Sequence, residues 1–216
     1  MKRDCPAAVA VFGGTFDPVH YGHLRTALEV REQLQTSDFR FLPAGRPPHR
    51  SGPVTEGRHR LAMLNLAVGN DSGFRIDERE LNRAGPSYMT DTLRGLRSEV
   101  DHAPLVLVIG QDAANTLNDW HQWREIFSLA HLVIMTRAGD PGNYAQDLEH
   151  ELGGRQVASV SDLRSRVSGC VLNIEVTSLS VSSSGIRKMI RDGKSPRFLL
   201  PDPVMGYIRE HGLYQS

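Results

Sequence analysis

The chain has 216 residues, enough to bury a substantial core and best read as one domain. Lys plus Arg and Asp plus Glu each total 25, so the formal net charge is zero, which argues against a general nucleic-acid or membrane-surface binder but leaves room for a local basic patch. Nothing approaches a run of about 18 apolar residues, so no membrane-spanning helix is expected, and the two cysteines, Cys5 and Cys170, are too few for a disulfide framework.

The first element is a short apolar run, Val9-Ala10-Val11-Phe12, read as a strand. Lys2 and Arg3 precede it much as basic residues precede a secretory leader. The apolar part, however, is only a few residues and runs straight into Gly13-Gly14, so a mature strand and a cytoplasmic location are expected. Gly13, Gly14, Thr15 and Phe16 then read as a phosphate-compatible turn. A helix over 22–34 follows, with apolar residues at Leu24, Ala27, Leu28 and Leu34. Residues 39–42 alternate as a strand, and 43–53 (PAGRPPHRSGP) form a basic, proline-rich loop containing His49 and Arg50. A helix is expected over 55–68, a weak strand over 74–77, a charged loop over 78–85, and a helix over 88–100 with Pro86 suited to its first turn.

Residues 105–109 (LVLVI) are the clearest buried strand, β-branched and uninterrupted as parallel strands tend to be. They end in Gly110-Gln111-Asp112 and a further helix, followed by a short helical piece over 120–127 and a strand over 131–135. Residues 138–169 read as a surface excursion with one helix over 144–152. A strand over 170–176, a helix over 182–191 capped by Ser182-Ser183-Ser184, and a helix over 203–211 ending at Gly212 complete the chain. Strands alternating with helices predict an α/β, Rossmann-like, doubly wound parallel sheet in a single domain, with a small C-terminal helical part over about 182–216. In such folds ligands bind at the carboxyl ends of the strands, where the Gly13-Gly14 turn, Gly110 with Asp112, and the serines after the last strand would converge.

Several side chains there can carry chemistry. His20 and His23, three residues apart, would lie on one face of a helix's first turn and suit a polyanion; an ordinary cap plus a surface histidine is the plainer reading. Two such histidines can also hold zinc, although the helical metalloprotease pattern needs a spacing of four and an intervening Glu. Ser182 to Ser184 with Arg187 form both a capped amphipathic helix and a ready phosphate site. Trp120 and Trp123 at this spacing suit a core, but Trp120 follows Asn118-Asp119 and can sit at a loop edge where a flat ring stacks on it. Asp112 can accept from ribose hydroxyls or hold a metal together with phosphates.

Together these stretches resemble a known family. GGTFDPVHYGHL resembles the HxGH signature of the nucleotidyltransferase superfamily, and SSSGIR its second motif, with Val181 and Ser184 where Ile and Thr are usual. The bacterial nicotinate-nucleotide adenylyltransferases are the nearest match, across PPHR, DERELNRAGPSY, IGQDA, AHLVI and LLPDPVMGYIREHGLY. The resemblance implies transfer of AMP from ATP to nicotinate mononucleotide, giving deamido-NAD and pyrophosphate in NAD biosynthesis, with Mg²⁺ required and bound mainly through the ATP phosphates, no residue being assigned as its ligand. It implies that His20 positions the phosphates, His23 stabilises developing charge, and Arg187 with Ser183 grips the β- and γ-phosphates. Gly13, Gly14, Thr15 and Phe16 would line the nucleotide path, and Gly110 with Asp112 would hold a ribose. Trp120 would stack on the pyridine ring beside His121. Thr90 would serve the nicotinate carboxylate, although the family commonly has Thr one place earlier, where Met89 stands here. His49 and Arg50 would close over the substrates, and the enzyme would be a monomer or homodimer.

Related enzymes acting on nicotinamide mononucleotide or phosphopantetheine are the alternatives within the superfamily. A non-catalytic nucleotide sensor would be expected to lose one of His20, His23 or Arg187. A dehydrogenase would need the GxGxxG turn, which is absent after the first strand.

Overall fold

In a computed structural model, residues 7–46, 55–137 and 142–215 are described. Six strands pair in the order β3-β2-β1-β4-β5-β6, every pair parallel. They are β1 (Val9–Gly14), β2 (Asp38–Pro43), β3 (Phe74–Ile76), β4 (Leu105–Gly110), β5 (His131–Thr136) and β6 (Val171–Glu175). Strand order reverses between β1 and β4, so the carboxyl ends of these two neighbours form the crevice where a doubly wound sheet binds ligands.

The apolar runs are continuous because both faces of the sheet are covered. Ala10, Phe12, Val106 and Val108 point into one core, while Val9, Val11, Leu105, Leu107 and Ile109 point into the other. The helices α1 (Tyr21–Leu34), α2 (Gly57–Val68), α8 (Ser183–Arg191) and α9 (Asp202–Glu210) contribute to the first core, through Ala27, Met63, Ile186 and Val204. The helix α3 (Met89–Val100), the single turns α4 (Gln111–Ala114) and α5 (Ile126–Leu129), and α6 (Gln146–Gly153) contribute to the second, through Leu93, Ala114, Ile126 and Leu148. The C-terminal helices therefore share the core of one sheet face. Among the described residues no helix is long and apolar enough to cross a membrane.

Four boundaries differ from the sequence reading. Gly13 and Gly14 are not a free turn; they finish β1, paired with Leu42 and Pro43. Pro86 lies outside α3, which starts at Met89. The helix expected over 120–127 is two short pieces, a 3-10 turn at Trp123–Glu125 and α5, with Trp120 outside both. The excursion over 138–169 holds α6 and a second short helix, α7 (Val160–Arg164), capped by the Ser159 side chain, and it rejoins the sheet where Gln156 bridges Val171.

At the amino edge of the sheet, His131 is fully buried. Its Nδ1 accepts the Cys170 N–H (3.1 Å), and its Nε2 lies 3.0 Å from the Arg166 carbonyl, which fixes the neutral Nε2–H form. Burial pushes its pKa down to about 4. The unfolded chain takes up this proton below about 6.5 and the native fold refuses it until about 4, so stability is lost as pH falls through that window. Between pH 7 and 5 this one group accounts for about 2 kcal/mol. In denaturant titrations His131→Gln should be less stable than the wild type at pH 7 but should lose about that much less on acidification. Parallel losses in the two proteins would refute this assignment.

Candidate active site

The loop leaving β1 turns through Phe16, whose backbone adopts φ 50°, before Pro18 and Val19 lead into α1. His20 is the N-cap of α1 and His23 lies in its first turn. The His20 N–H donates to His23 Nδ1 (3.3 Å), and the two imidazoles stack with centroids 3.7 Å apart and planes 23° from parallel. The bond at Nδ1 leaves the His23 proton on Nε2, a donor available to a ligand. His20 Nδ1 is buried and finds no hydrogen-bond partner among the described residues. Burial lowers the His20 pKa to about 4 and holds His23 well below its ordinary value, with the neighbouring imidazole a further cause for His23. Both rings are therefore neutral donors at pH 7 in the ligand-free protein.

Gly22 lies at the contact between the two motifs. A Cβ there would lie 3.0 Å from the His20 ring and 3.0 Å from Val181 Cγ1, so its bareness lets the signature helix and the segment before α8 meet. Phe16 departs from expectation. Its ring is fully buried, edge-on to His23 at 5.1 Å and to Phe12 at 5.7 Å, so it backs His23 and does not line an open path.

The second motif comes to the same place. Ser182 caps α8 by accepting the Gly185 N–H (3.1 Å). Ser183 Oγ donates to the Pro18 carbonyl (2.9 Å) and Arg187 Nη1 to the Asp17 carbonyl (2.6 Å). The α8 N-terminus thus rests on the loop that carries the histidines, and its positive end and the Arg187 guanidinium offer a phosphate chain two further sources of stabilisation.

Beside this loop, a cavity of about 540 Å³ opens between the carboxyl ends of β1 and β4. Gly13, Gly14, Thr15, Gly110, Trp120 and His121 line it, six of the expected site residues. Trp123 is in the core, 7% exposed, with Arg124 over its ring, so the two tryptophans divide as a cavity-lining ring and a packing ring. A Cβ at Gly13 would lie 3.0 Å from Met89 Cε, so the bare backbone lets Met89 cross the cavity floor.

Thr90 is not on that floor. It is fully buried, and its hydroxyl donates to the His121 carbonyl (2.9 Å), so it braces His121 from behind while Met89 faces the cavity. Asp112 is exposed on α4 and does not line the cavity, although its neighbours Gly110 and Ala113 do. His49 and Arg50 lie outside the described residues.

Two cavity groups went unnoticed in the sequence. Glu80 is 4% exposed, accepts from Thr92 Oγ1 (2.8 Å) and from the Gly45 N–H, and is pushed up by burial. Tyr88 packs its ring on His121 at 4.3 Å. Only the buried position of Glu80 marks it within the charged stretch DERELNR, where its neighbours look the same.

A parallel sheet of this order presents ligands at its switch point, and paired neutral donors facing an arginine-bearing helix start suit a chain of phosphates. Fold and site together define a nucleotidyltransferase. Comparison with known proteins agrees: the cytidylyltransferase-like family model matches residues 11–189. A protein of Methylococcus capsulatus named probable nicotinate-nucleotide adenylyltransferase is 48% identical over 207 residues, covering 95% of this chain and 99% of its own. A protein of the same name from Acidithiobacillus ferrooxidans is 45% identical, covering 96% of each chain. The chain belongs to the cytidylyltransferase-like family and, within it, to the nicotinate-nucleotide adenylyltransferases. The nicotinic acid mononucleotide adenylyltransferase of Plasmodium falciparum, solved with NaAD, shares the fold with a TM-score of 0.73 at 16% identity, covering 96% of this chain and 97% of that one.

Proposed function

We propose that this enzyme transfers the adenylyl group of ATP to nicotinate mononucleotide, yielding deamido-NAD and pyrophosphate for NAD biosynthesis in the cytoplasm. A phosphate oxygen of the mononucleotide attacks the α-phosphorus of ATP, and the bond from that phosphorus to the β-phosphate bridging oxygen breaks. No side chain is acylated or phosphorylated, so positioning and charge stabilisation carry the rate. The observation that supports this most is the meeting of the stacked histidines with Ser183 and Arg187 on one loop, next to a cavity faced by Trp120.

The ATP phosphates lie along the loop between His23 and Arg187, with His20 positioning them and Gly13, Gly14 and Thr15 beneath. The mononucleotide occupies the cavity, its pyridine ring on Trp120, with Gly110 on the ribose side. Mg²⁺ would be held mainly by the ATP phosphates and would neutralise part of their charge; the Asp17 carboxylate of this loop is engaged by the Tyr214 hydroxyl and the Thr55 N–H.

The start of α3 favours the acid over the amide. Tyr88, its N-cap, places no capping side-chain bond there, and the helix carries its positive end to the cavity wall formed by Tyr88 and Met89. A carboxylate gains from that field and a carboxamide gains little. Pyrophosphate release with ATP and a panel of mononucleotides tests both points: nicotinate mononucleotide should give the highest kcat/KM, and equal values for acid and amide would overturn the acid preference. Trp120→Ala should raise the KM for the mononucleotide roughly 10-fold with a smaller change for ATP. An unchanged KM would return Trp120 to a packing role.

A further inference from the structure

The loop carrying the signature is held from parts of the chain far from it in sequence. Asp17 is 2% exposed, and its carboxylate accepts the Tyr214 hydroxyl at Oδ1 (2.6 Å) and the Thr55 N–H at Oδ2 (3.2 Å). Tyr214 is itself buried, two residues before the end of the sequence, with a left-handed backbone (φ 66°) and its side chain in the core. Arg60, 1% exposed, braces the same loop by donating to the Thr15 carbonyl (2.8 Å) and the Thr55 carbonyl (3.1 Å). The main-chain carbonyls of Asp17 and Pro18 are the acceptors that hold Arg187 and Ser183. One short segment therefore has its carboxylate held by Tyr214 while its carbonyls fix Ser183 and Arg187 of α8.

We propose that Tyr214 is a positioning residue for adenylyl transfer, holding the Asp17 carboxylate so that the Asp17 carbonyl presents Arg187 to the ATP phosphates while the Pro18 carbonyl anchors α8 through Ser183. The inference rests on the placement of ATP argued above. A buried carboxylate needs its donors whatever the function, but this one belongs to the first motif, and the carbonyl of the same residue holds Arg187 of the second. Loss of the phenolic hydroxyl removes the donor at Oδ1 and shifts the balance of the carboxylate toward the Thr55 N–H at Oδ2. The Asp17 peptide then shifts with it, and with that peptide the carbonyl that Arg187 Nη1 meets at 2.6 Å. The consequence falls on ATP and on turnover and spares the Trp120 side.

Tyr214→Phe removes one hydroxyl and keeps the ring. It should lower kcat by about 10-fold, raise the KM for ATP several-fold, and leave the KM for nicotinate mononucleotide within about twofold. Calorimetric binding of a non-hydrolysable ATP analogue should weaken in parallel, a readout independent of turnover. Thr36→Val serves as the control for stability alone, because it removes a buried hydroxyl bond to the Ala8 carbonyl at the opposite end of β1; it should lower Tm while kinetics stay unchanged. Tyr214→Phe kinetics matching the wild type, or an equal loss of ATP binding in Thr36→Val, would overturn the inference. Absence of pyrophosphate release by the wild type with ATP and nicotinate mononucleotide would instead overturn the reaction on which it rests.

Discussion

Replacing His23 with alanine lowers kcat by about 10²-fold or more while nucleotide binding is largely kept, the scale of losing one preorganised transition-state donor. The size follows from how thoroughly this imidazole is held. Its Nδ1 is occupied by the His20 N–H, which assigns the proton to Nε2. One face stacks on His20 at 3.7 Å, and the edge contact with Phe16 at 5.1 Å blocks rotation on another side. A donor locked this way loses little entropy when charge builds on the α-phosphate and the leaving pyrophosphate. Because the ring is neutral in the free enzyme, attraction to the ground-state phosphates is modest, and its advantage is concentrated in the transition state, where the negative charge is redistributed. The measurement is pyrophosphate release at saturating ATP and nicotinate mononucleotide, with analogue binding by calorimetry. A variant with near-native turnover would remove His23 from the catalytic role.

What the sequence made legible here was local. Residues 105–109 could be read as a buried parallel strand because both faces of the sheet demand apolar residues, and the observed burial of Leu105 to Ile109 shows why the run is uninterrupted. His20 and His23 were legible because an N-cap and its third residue meet through the helix's own geometry. Helix phase was not legible. Thr90 and Met89 are adjacent, yet the start of α3 at Met89 turns one into the core against His121 and the other onto the cavity floor. The hydroxyl that chemistry favours as a ligand is the one that packing withdraws. Long-range pairs were illegible for a different reason: nothing near Asp17 in sequence signals Tyr214, 197 residues away, and nothing in a charged loop separates Glu80 from its solvated neighbours. Burial decides both, and it is a property of the whole fold.

The same loop gives Arg187 a double duty, and Arg187→Ala is expected to lower kcat/KM for ATP by about 10²-fold, more than it weakens nicotinate mononucleotide. One arm of the guanidinium, Nη1, is committed to the Asp17 carbonyl at 2.6 Å, which orients the planar fork and leaves its remaining N–H donors for phosphate oxygens. A charge-assisted bond to phosphate is worth roughly 1.5–3 kcal/mol, so losing the fork reaches two orders of magnitude without invoking any change in the fold. The Asp17 carbonyl left behind is near a half-exposed side chain, where water can replace the lost donor, so the structural cost is small beside the loss at the phosphates. Arg187→Lys keeps the charge but cannot hold the carbonyl and reach two phosphate oxygens at once; it should recover only part of the ATP affinity. Calorimetry with a non-hydrolysable ATP analogue and, separately, with nicotinate mononucleotide decides the matter: an alanine variant that binds the mononucleotide worse than the ATP analogue would place Arg187 on the other side of the reaction.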